Sequence, residues 1–211
     1  MPLAANALVS LEEVKSWLGI KDPADDLKLA DEINRATIAI EAYCNRPLKQ
    51  ATYTSQRLCG PDSQVLYLKA VPINADNPVT VSVNESTQTI WLKESDGDPA
   101  SFDVILASTD PTDIIGTRDH LFRSRGWAPT SSKHPYNILL TYTGGFATAP
   151  DDLKEACIHI VHKLWRDRQR QIPDVQTVTL PSGAINLLDI GLPRLALLLL
   201  GRYRIGSVAG I

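Results

Sequence analysis

His159 and His162 stand three residues apart, a spacing that puts two imidazoles on adjacent turns of a helix and raises metal chemistry first. The metalloprotease pattern HExxH differs, because its histidines are four apart on one face and the Glu between them acts as base. A helical wheel sets His159 and His162 with Glu155, Lys163, Arg166 and Arg170 on the polar face of one segment. Neighbouring cations disfavour a bound dication, and no third ligand accompanies the pair. The two residues read as exposed surface histidines, and no metal or other cofactor is expected.

The run from Lys163 to Arg170, with Trp165 inside it, suggests a second chemistry. Basic side chains beside an aromatic can hold phosphates and stack on bases. The same residues also suit the C-terminal end of a helix, whose partial negative charge favours cations without any ligand. Lys163, Arg166 and Arg170 are therefore assigned to a basic patch that faces either a neighbouring subunit or DNA. Arg168 falls at the edge of the apolar stripe, where it is expected to snorkel or to pair with an acid from another helix.

Other motifs carry less. Asp96-Gly97-Asp98 resembles a fragment of a calcium loop without the later ligands, and reads as a hairpin turn. Gly144-Gly145 is no phosphate loop, since neither GxxxxGK[ST] nor GxGxxG occurs. No GxSxG elbow surrounds any serine, so an enzyme has no positive support. Residues 195–200 are apolar all round, which suits a helix buried in its own core or docked on another chain. Docking on a partner is the expectation, with the closing Ala209-Gly210-Ile211 adding apolar surface.

The elements that must position these residues follow from periodicity. Residues 150–170 form the strongest helix, with Pro150 at its first position, Asp151, Asp152 and Glu155 at the positive end and cations at the other. Leu153, Ala156, Cys157, Ile160 and Leu164 make its apolar stripe. Upstream, residues 10–18 form a short helix. Ser10 and Glu13 stand at capping-box spacing, Val9 and Val14 at staple positions, and Gly19 supplies the stop. Leu11, Val14 and Leu18 are its inner face. A second helix opens at Asp25-Asp26 and runs to about Cys44 on a stripe of Leu29, Ile33, Ala36, Ile40 and Tyr43, ended by Asn45-Arg46-Pro47.

From residue 51 to 143 the period changes to that of strands. Residues 65–68, 79–83, 89–92, 102–106 and 138–142 read as strands of a small antiparallel sheet, sandwich or partial barrel. Residues 110–135, around Leu121-Phe122 and Trp127, read as a long ordered loop. After the long helix, residues 175–180 alternate like a strand, and a short helix opens at Leu192-Pro193. The expected fold is α+β, with a helical core (residues 1–48 plus 146–170), a β-rich insertion (49–145) and an extended C-terminal arm (171–211).

The totals bound the class. A chain of 211 residues can bury one core with a sizeable insertion, and 44% hydrophobic with 21% charged residues describes an ordinary globular protein. The formal net charge of −3 gives no general attraction to nucleic acid or anionic membrane. Cys44, Cys59 and Cys157 are odd in number and widely spaced, and read as buried thiols of a reducing compartment. The opening MPLAANALVS has no basic region and no long apolar run, so no signal peptide is expected. Residues 195–200, the longest strictly apolar run, fall far short of the roughly 20 residues a membrane span requires.

Three segments carry a family resemblance. They are Val9-Ser10-Leu11-Glu12-Glu13-Val14-Lys15 with Asp25-Asp26 and Ile40-Glu41-Ala42-Tyr43-Cys44-Asn45-Arg46-Pro47-Leu48; then Tyr142-Thr143-Gly144-Gly145-Phe146 with Pro150-Asp151-Asp152-Leu153-Lys154-Glu155-Ala156 and Arg168; then Leu192-Pro193, Leu199-Leu200 and Tyr203-Arg204. In this order they resemble the head–tail connector (adaptor, head-completion) proteins of tailed bacteriophages and gene transfer agents. The resemblance implies a structural protein with no catalysis, made in the host cytoplasm and resident in the virion neck. It implies a homo-oligomeric ring, twelvefold, bound under the portal protein, passing double-stranded DNA through its lumen without specific recognition. A stopper or tail protein would dock on its far side. Leu192, Leu195, Leu197, Leu199, Arg202, Tyr203 and Arg204 are the residues assigned to contact the portal or a neighbouring subunit. The rivals are a tail-completion or other neck ring protein, a DNA-binding module using Lys163, Arg166 and Arg170, and a hydrolase.

Overall fold

Ser10 starts the chain's first helix as its spacing predicts. Its Oγ accepts from the Glu13 N–H at 3.2 Å, and the Glu13 carboxylate accepts from the Ser10 N–H at 2.8 Å. This closed capping box satisfies donors that a helix start otherwise leaves unpaired. In the computed structural model, which describes residues 1–74, 76–77, 79–91, 102–106, 120–127, 136–170, 177–180, 183–186 and 192–204, the box opens α1 (Leu11–Leu18). Val9 and Val14 are both buried, and Gly19 stops the helix in a left-handed conformation at φ 69°. A 3-10 turn, Pro23–Asp25, leads into α2 (Asp26–Cys44), which ends at Asn45 with φ 56°.

The chain divides into two compact units, Met1–Arg46 with Ala149–Ile211, and Pro47–Thr148. In the first, α2 buries Leu29, Ile33, Ala36 and Ile40 completely. Its seam ends on Cys44 rather than the expected Tyr43, which is half-buried with the Arg204 guanidinium 5.3 Å from its ring. The long helix, α3 (Asp151–Arg170), begins one residue later than expected. Pro150 precedes it and accepts the first helical hydrogen bond, from Lys154 N–H at 3.0 Å. Its buried stripe runs through Val161 and Trp165, while Leu164 is only half-buried. The stripe is broad because α1, α2 and the closing helix α4 (Arg194–Leu200) all pack on α3. Between α3 and α4, the backbone of Thr177–Leu180 and Gly183–Asn186 forms an antiparallel hairpin.

Among the described residues the second unit holds two four-stranded sheets. In chain order the strands are β1 (Ala51–Leu58), β2 (Val65–Tyr67), β3 (Thr80–Val83), β4 (Ser86–Thr87), β5 (Ile90–Trp91), β6 (Val104–Leu106), β7 (His120–Phe122) and β8 (Ile138–Gly144). One sheet has the order β1-β8-β3-β4 and is antiparallel throughout. The other has the order β2-β7-β6-β5, with β5 and β6 parallel. Ile138, Leu140 and Tyr142 alternate inward along β8, the period expected of a half-buried strand. Gly145 follows at φ 101°, and a Cβ there would meet the Lys49 carbonyl oxygen at 2.6 Å, so glycine is required at the exit of β8.

Three expectations are corrected here. Residues 120–122, placed in a long loop, form β7, which pairs with β2 and β6 and buries Leu121 completely, with Trp127 1% exposed beyond it. Cys59 is exposed, whereas Cys44 and Cys157 are buried. The closing part of the C-terminal arm does not project away, because α4 lies against α3 and α2. The Asp96-Gly97-Asp98 turn lies outside the described residues.

Candidate docking surfaces

Residues 195–200 of the short closing helix are apolar on every side, and its packing sorts those sides. Ala196, Leu200 and Tyr203, spaced by four and three, are buried. Leu198, on the opposite side, is 78% exposed, and Leu195 is 43% exposed. Leu192, Leu197 and Leu199 are half-buried. Leu198 was not singled out by sequence, although the small Ala196 marks the side that lies closest to another helix and so identifies the outward side.

Tyr203 and its neighbours fasten this segment. The Tyr203 hydroxyl donates to Asp152 Oδ1 at 2.5 Å, and Arg202 Nη1 lies 3.2 Å from Asp152 Oδ2. The guanidinium of Arg202 sits 5.3 Å from the Tyr203 ring and that of Arg46 sits 6.0 Å away. Burial, and then the Asp152 carboxylate, push the Tyr203 phenol well above its ordinary value. Tyr203 was grouped with the partner-facing residues, but it is 1% exposed and acts as an internal anchor. Arg202 is bound to Asp152 and Arg204 lies over Tyr43, and both keep exposed surface.

The polar face of α3 is organised by a residue that sequence reasoning left out. Trp17, in the last turn of α1, meets His159 edge-on at 5.6 Å and His162 at 5.2 Å. The histidines are therefore half-buried against an indole and do not stand free in solvent. His159 Nε2 is 3.7 Å from Glu155 Oε1. Trp165 is 7% exposed and packs inward, so it cannot stack on a base. Lys163 is half-buried and Arg166 exposed; the Arg170 side chain lies outside the described residues.

Arg168 makes the expected helix-to-helix pair, with Nη1 2.8 Å from Glu32 Oε1 on α2. Glu32 is 2% exposed, and its second oxygen has no hydrogen-bond partner, only the Arg35 guanidinium at 3.7 Å. A buried carboxylate with one charge-assisted bond depends heavily on that bond.

Burial pushes the Cys44 thiol up to about 11 and the Cys157 thiol up to about 12, so both stay protonated near neutrality. Among the described residues no group of three or more His, Cys, Asp or Glu could hold a metal ion. No described helix is long and apolar enough to cross a membrane. In the β-rich unit a cleft of about 390 Å³ is lined by residues 62–64 and 123–127. Its Arg123 is a brace, donating to Gly126 O at 3.1 Å and Gln88 Oε1 at 2.8 Å, with its guanidinium 5.9 Å from the Trp127 ring.

Residues 7–204 match the family described as head completion protein. Among solved structures, the fold is similar to a chain in the neck of an empty GTA particle computed with C6 symmetry. That likeness has a TM-score of 0.52 at 15% identity, covering 100% of this chain and 96% of that one. It is also similar to a chain in the virion of a native gene transfer agent (GTA) particle, with a TM-score of 0.51 at 16% identity and the same coverage, 100% and 96%. At these identities the likeness is one of fold. No curated protein matches the sequence.

Proposed function

The chain belongs to the head completion protein family, and from that premise we propose that it is a structural head–tail connector in the neck of a tailed phage or phage-like particle. The observation that carries this reading is the family match itself, which spans residues 7–204 and so includes both helical ends and the β-rich insertion. The fold shared with a chain of a GTA particle neck supports the same location. In this reading copies of the chain form a closed ring, twelvefold by the family resemblance, under the portal protein. The ring extends the DNA channel and offers its far side to a stopper or tail protein. Leu195 and Leu198, apolar and exposed on α4, are the surface best suited to a protein partner.

The electrostatics fit a conduit better than a DNA receptor. A net charge of −3 provides no general grip on phosphates, and the aromatic that would have completed a nucleic-acid footprint, Trp165, is buried. No catalytic role is proposed.

The reading is tested by complementation. Particles assembled without this chain are expected to accumulate as tailless heads beside free tails, and adding the purified chain should restore joined, infectious or transducing particles. Normal joining in its absence would overturn the proposal.

A further inference from the structure

The helical unit carries two outward faces, one on α2 and one on α3. In α2, Leu27 and Ile38 each stand two positions from a buried residue, Leu29 and Ile40, and so lie about 200° around the helix from the core. They are 68% and 64% exposed, and between them Asp31 and Arg35 pair at 3.3 Å. In α3, Glu155 and His162 stand two positions from the buried Leu153 and Ile160, and Arg166 continues that side. Trp17 of α1 lies on it between Glu155 and Arg166, against both histidines and 49% exposed. Because α2 and α3 pack on each other through their buried stripes, these two faces look away from each other.

A closed ring needs two different, mutually complementary patches on every subunit, used head to tail. Building on the ring reading above, we propose that the α2 face of one copy docks on the Trp17-bearing α3 face of the next. Each contact leaves an α2 face free at one end and an α3 face free at the other, so addition continues until the ring closes. The lengths agree, since residues 27–38 and 155–166 each advance eleven positions, about 16 Å along the axis. The charges agree as well. The two helices run antiparallel: Arg168 reaches Glu32, whereas Cys157, earlier in α3, bonds Thr37, later in α2. One step around a twelvefold ring turns a helix by about 30°, so α2 of one copy stays nearly antiparallel to α3 of the next. Matched end to end, the faces set Asp31 near His162 and Arg166, Arg35 near Glu155, and Trp17 between Leu27 and Ile38. A half-exposed tryptophan that meets aliphatic side chains inside a charged rim has the make-up of an interface centre. Duplex DNA fits these faces less well, because Asp31, Glu155 and the exposed Asp167 would repel its phosphates.

The test uses the full chain in two forms, with folding checked by thermal melts: Leu27→Lys/Ile38→Glu on the α2 face and Trp17→Ala/Arg166→Glu on the α3 face. Oligomers are read by native mass spectrometry and negative-stain microscopy, with and without portal rings. Each variant alone should stay monomeric, with subunit affinity weakened about 100-fold or more by lost apolar contact and unpaired charge. An equimolar mixture should stop at pairs holding one copy of each variant, joined through the one face each has left intact. Rings that ignore either variant would overturn the contact while leaving the connector reading intact. So would a mixture that forms no pairs, or wild-type chains that stop at two subunits. Variant rings that stay closed but no longer bind the portal would assign the altered face to that partner and overturn the contact. Salt-sensitive retention of DNA, abolished by the α3-face variant in rings that stay closed, would overturn it in favour of DNA. If wild-type chains form no ring under any of these conditions, the ring reading fails and the contact falls with it. Should Trp17→Ala unfold the chain, Arg166→Glu alone replaces it on that face, with a smaller but parallel loss and the same pairing expected.

Discussion

The hydroxyl of Tyr203 donates to the Asp152 carboxylate at 2.5 Å across 51 residues of sequence, tying the last described turn of the chain to the first turn of α3. That bond fixes the closing helix on the subunit's own core, with Ala196 and Leu200 buried beneath it and Leu195 and Leu198 left outside. The anchor and the candidate docking surface are thus two sides of one short helix.

Tyr203→Phe should keep the ring packing and lose this bond to a charged acceptor. The expected cost is about 1–2 kcal/mol, or a fall in Tm of about 3–6 °C by calorimetry. Truncation after Gln171 should cost far more, because it removes α4 and the buried Tyr203 from the helical unit. A strongly lowered or non-cooperative melt is the expected result, in place of the folded monomer that an arm reaching away from the subunit would leave.

Leu198→Asp makes the opposite prediction. With 78% of Leu198 exposed, the change should leave stability within about 0.5 kcal/mol of wild type. Burying a carboxylate in an apolar contact is costly, so joining to portal or stopper should weaken measurably in a co-sedimentation assay.

Arg168→Ala should strand Glu32, whose side chain is 2% exposed. Removing one partner of a buried pair costs about 3–5 kcal/mol, but Arg168 keeps 41% of its own surface in solvent, which screens the pair; about 1–3 kcal/mol by urea unfolding is expected. The double variant Glu32→Gln/Arg168→Ala should recover part of that loss.

Acid stability should report on Glu13. Lys154, then the backbone N–H of Ser10, lower its carboxyl from 4.5 to about 2. A lowered folded value means a contribution that is present above pH 4.5 and disappears as pH falls toward 2. Lys154 is raised above 10.5 by the same pair, so its share is present below that pH and is lost as pH rises above it. Glu13 is 41% exposed, so solvent screening keeps the effect modest. Glu13→Gln should flatten the pH dependence of urea midpoints between about pH 4.5 and 2, and an unchanged slope would contradict this account.

Much of the helical unit was legible because local signals decide it. The Ser10–Glu13 box, the Gly19 stop and the seam of Leu29, Ile33, Ala36 and Ile40 each depend on residues a few positions apart. β7 was missed for the opposite reason. His120-Leu121-Phe122 is three residues long, and only pairing with β2, more than fifty residues upstream, and with β6 makes it a strand. The candidate surfaces failed in the same way. Nothing near Trp17 in sequence reveals that it covers His159 and His162, and nothing near Tyr203 reveals Asp152. Trp165 illustrates the limit of composition: it lies among cations in sequence, yet the helix turns it into the core.

Cryo-electron microscopy of particles carrying a tagged copy of this chain tests the central claim most directly. The connector account predicts tag density in a closed ring between the portal vertex and the tail, around the DNA path. A tag found in the shell or at the tail tip, or missing from finished particles, would contradict it.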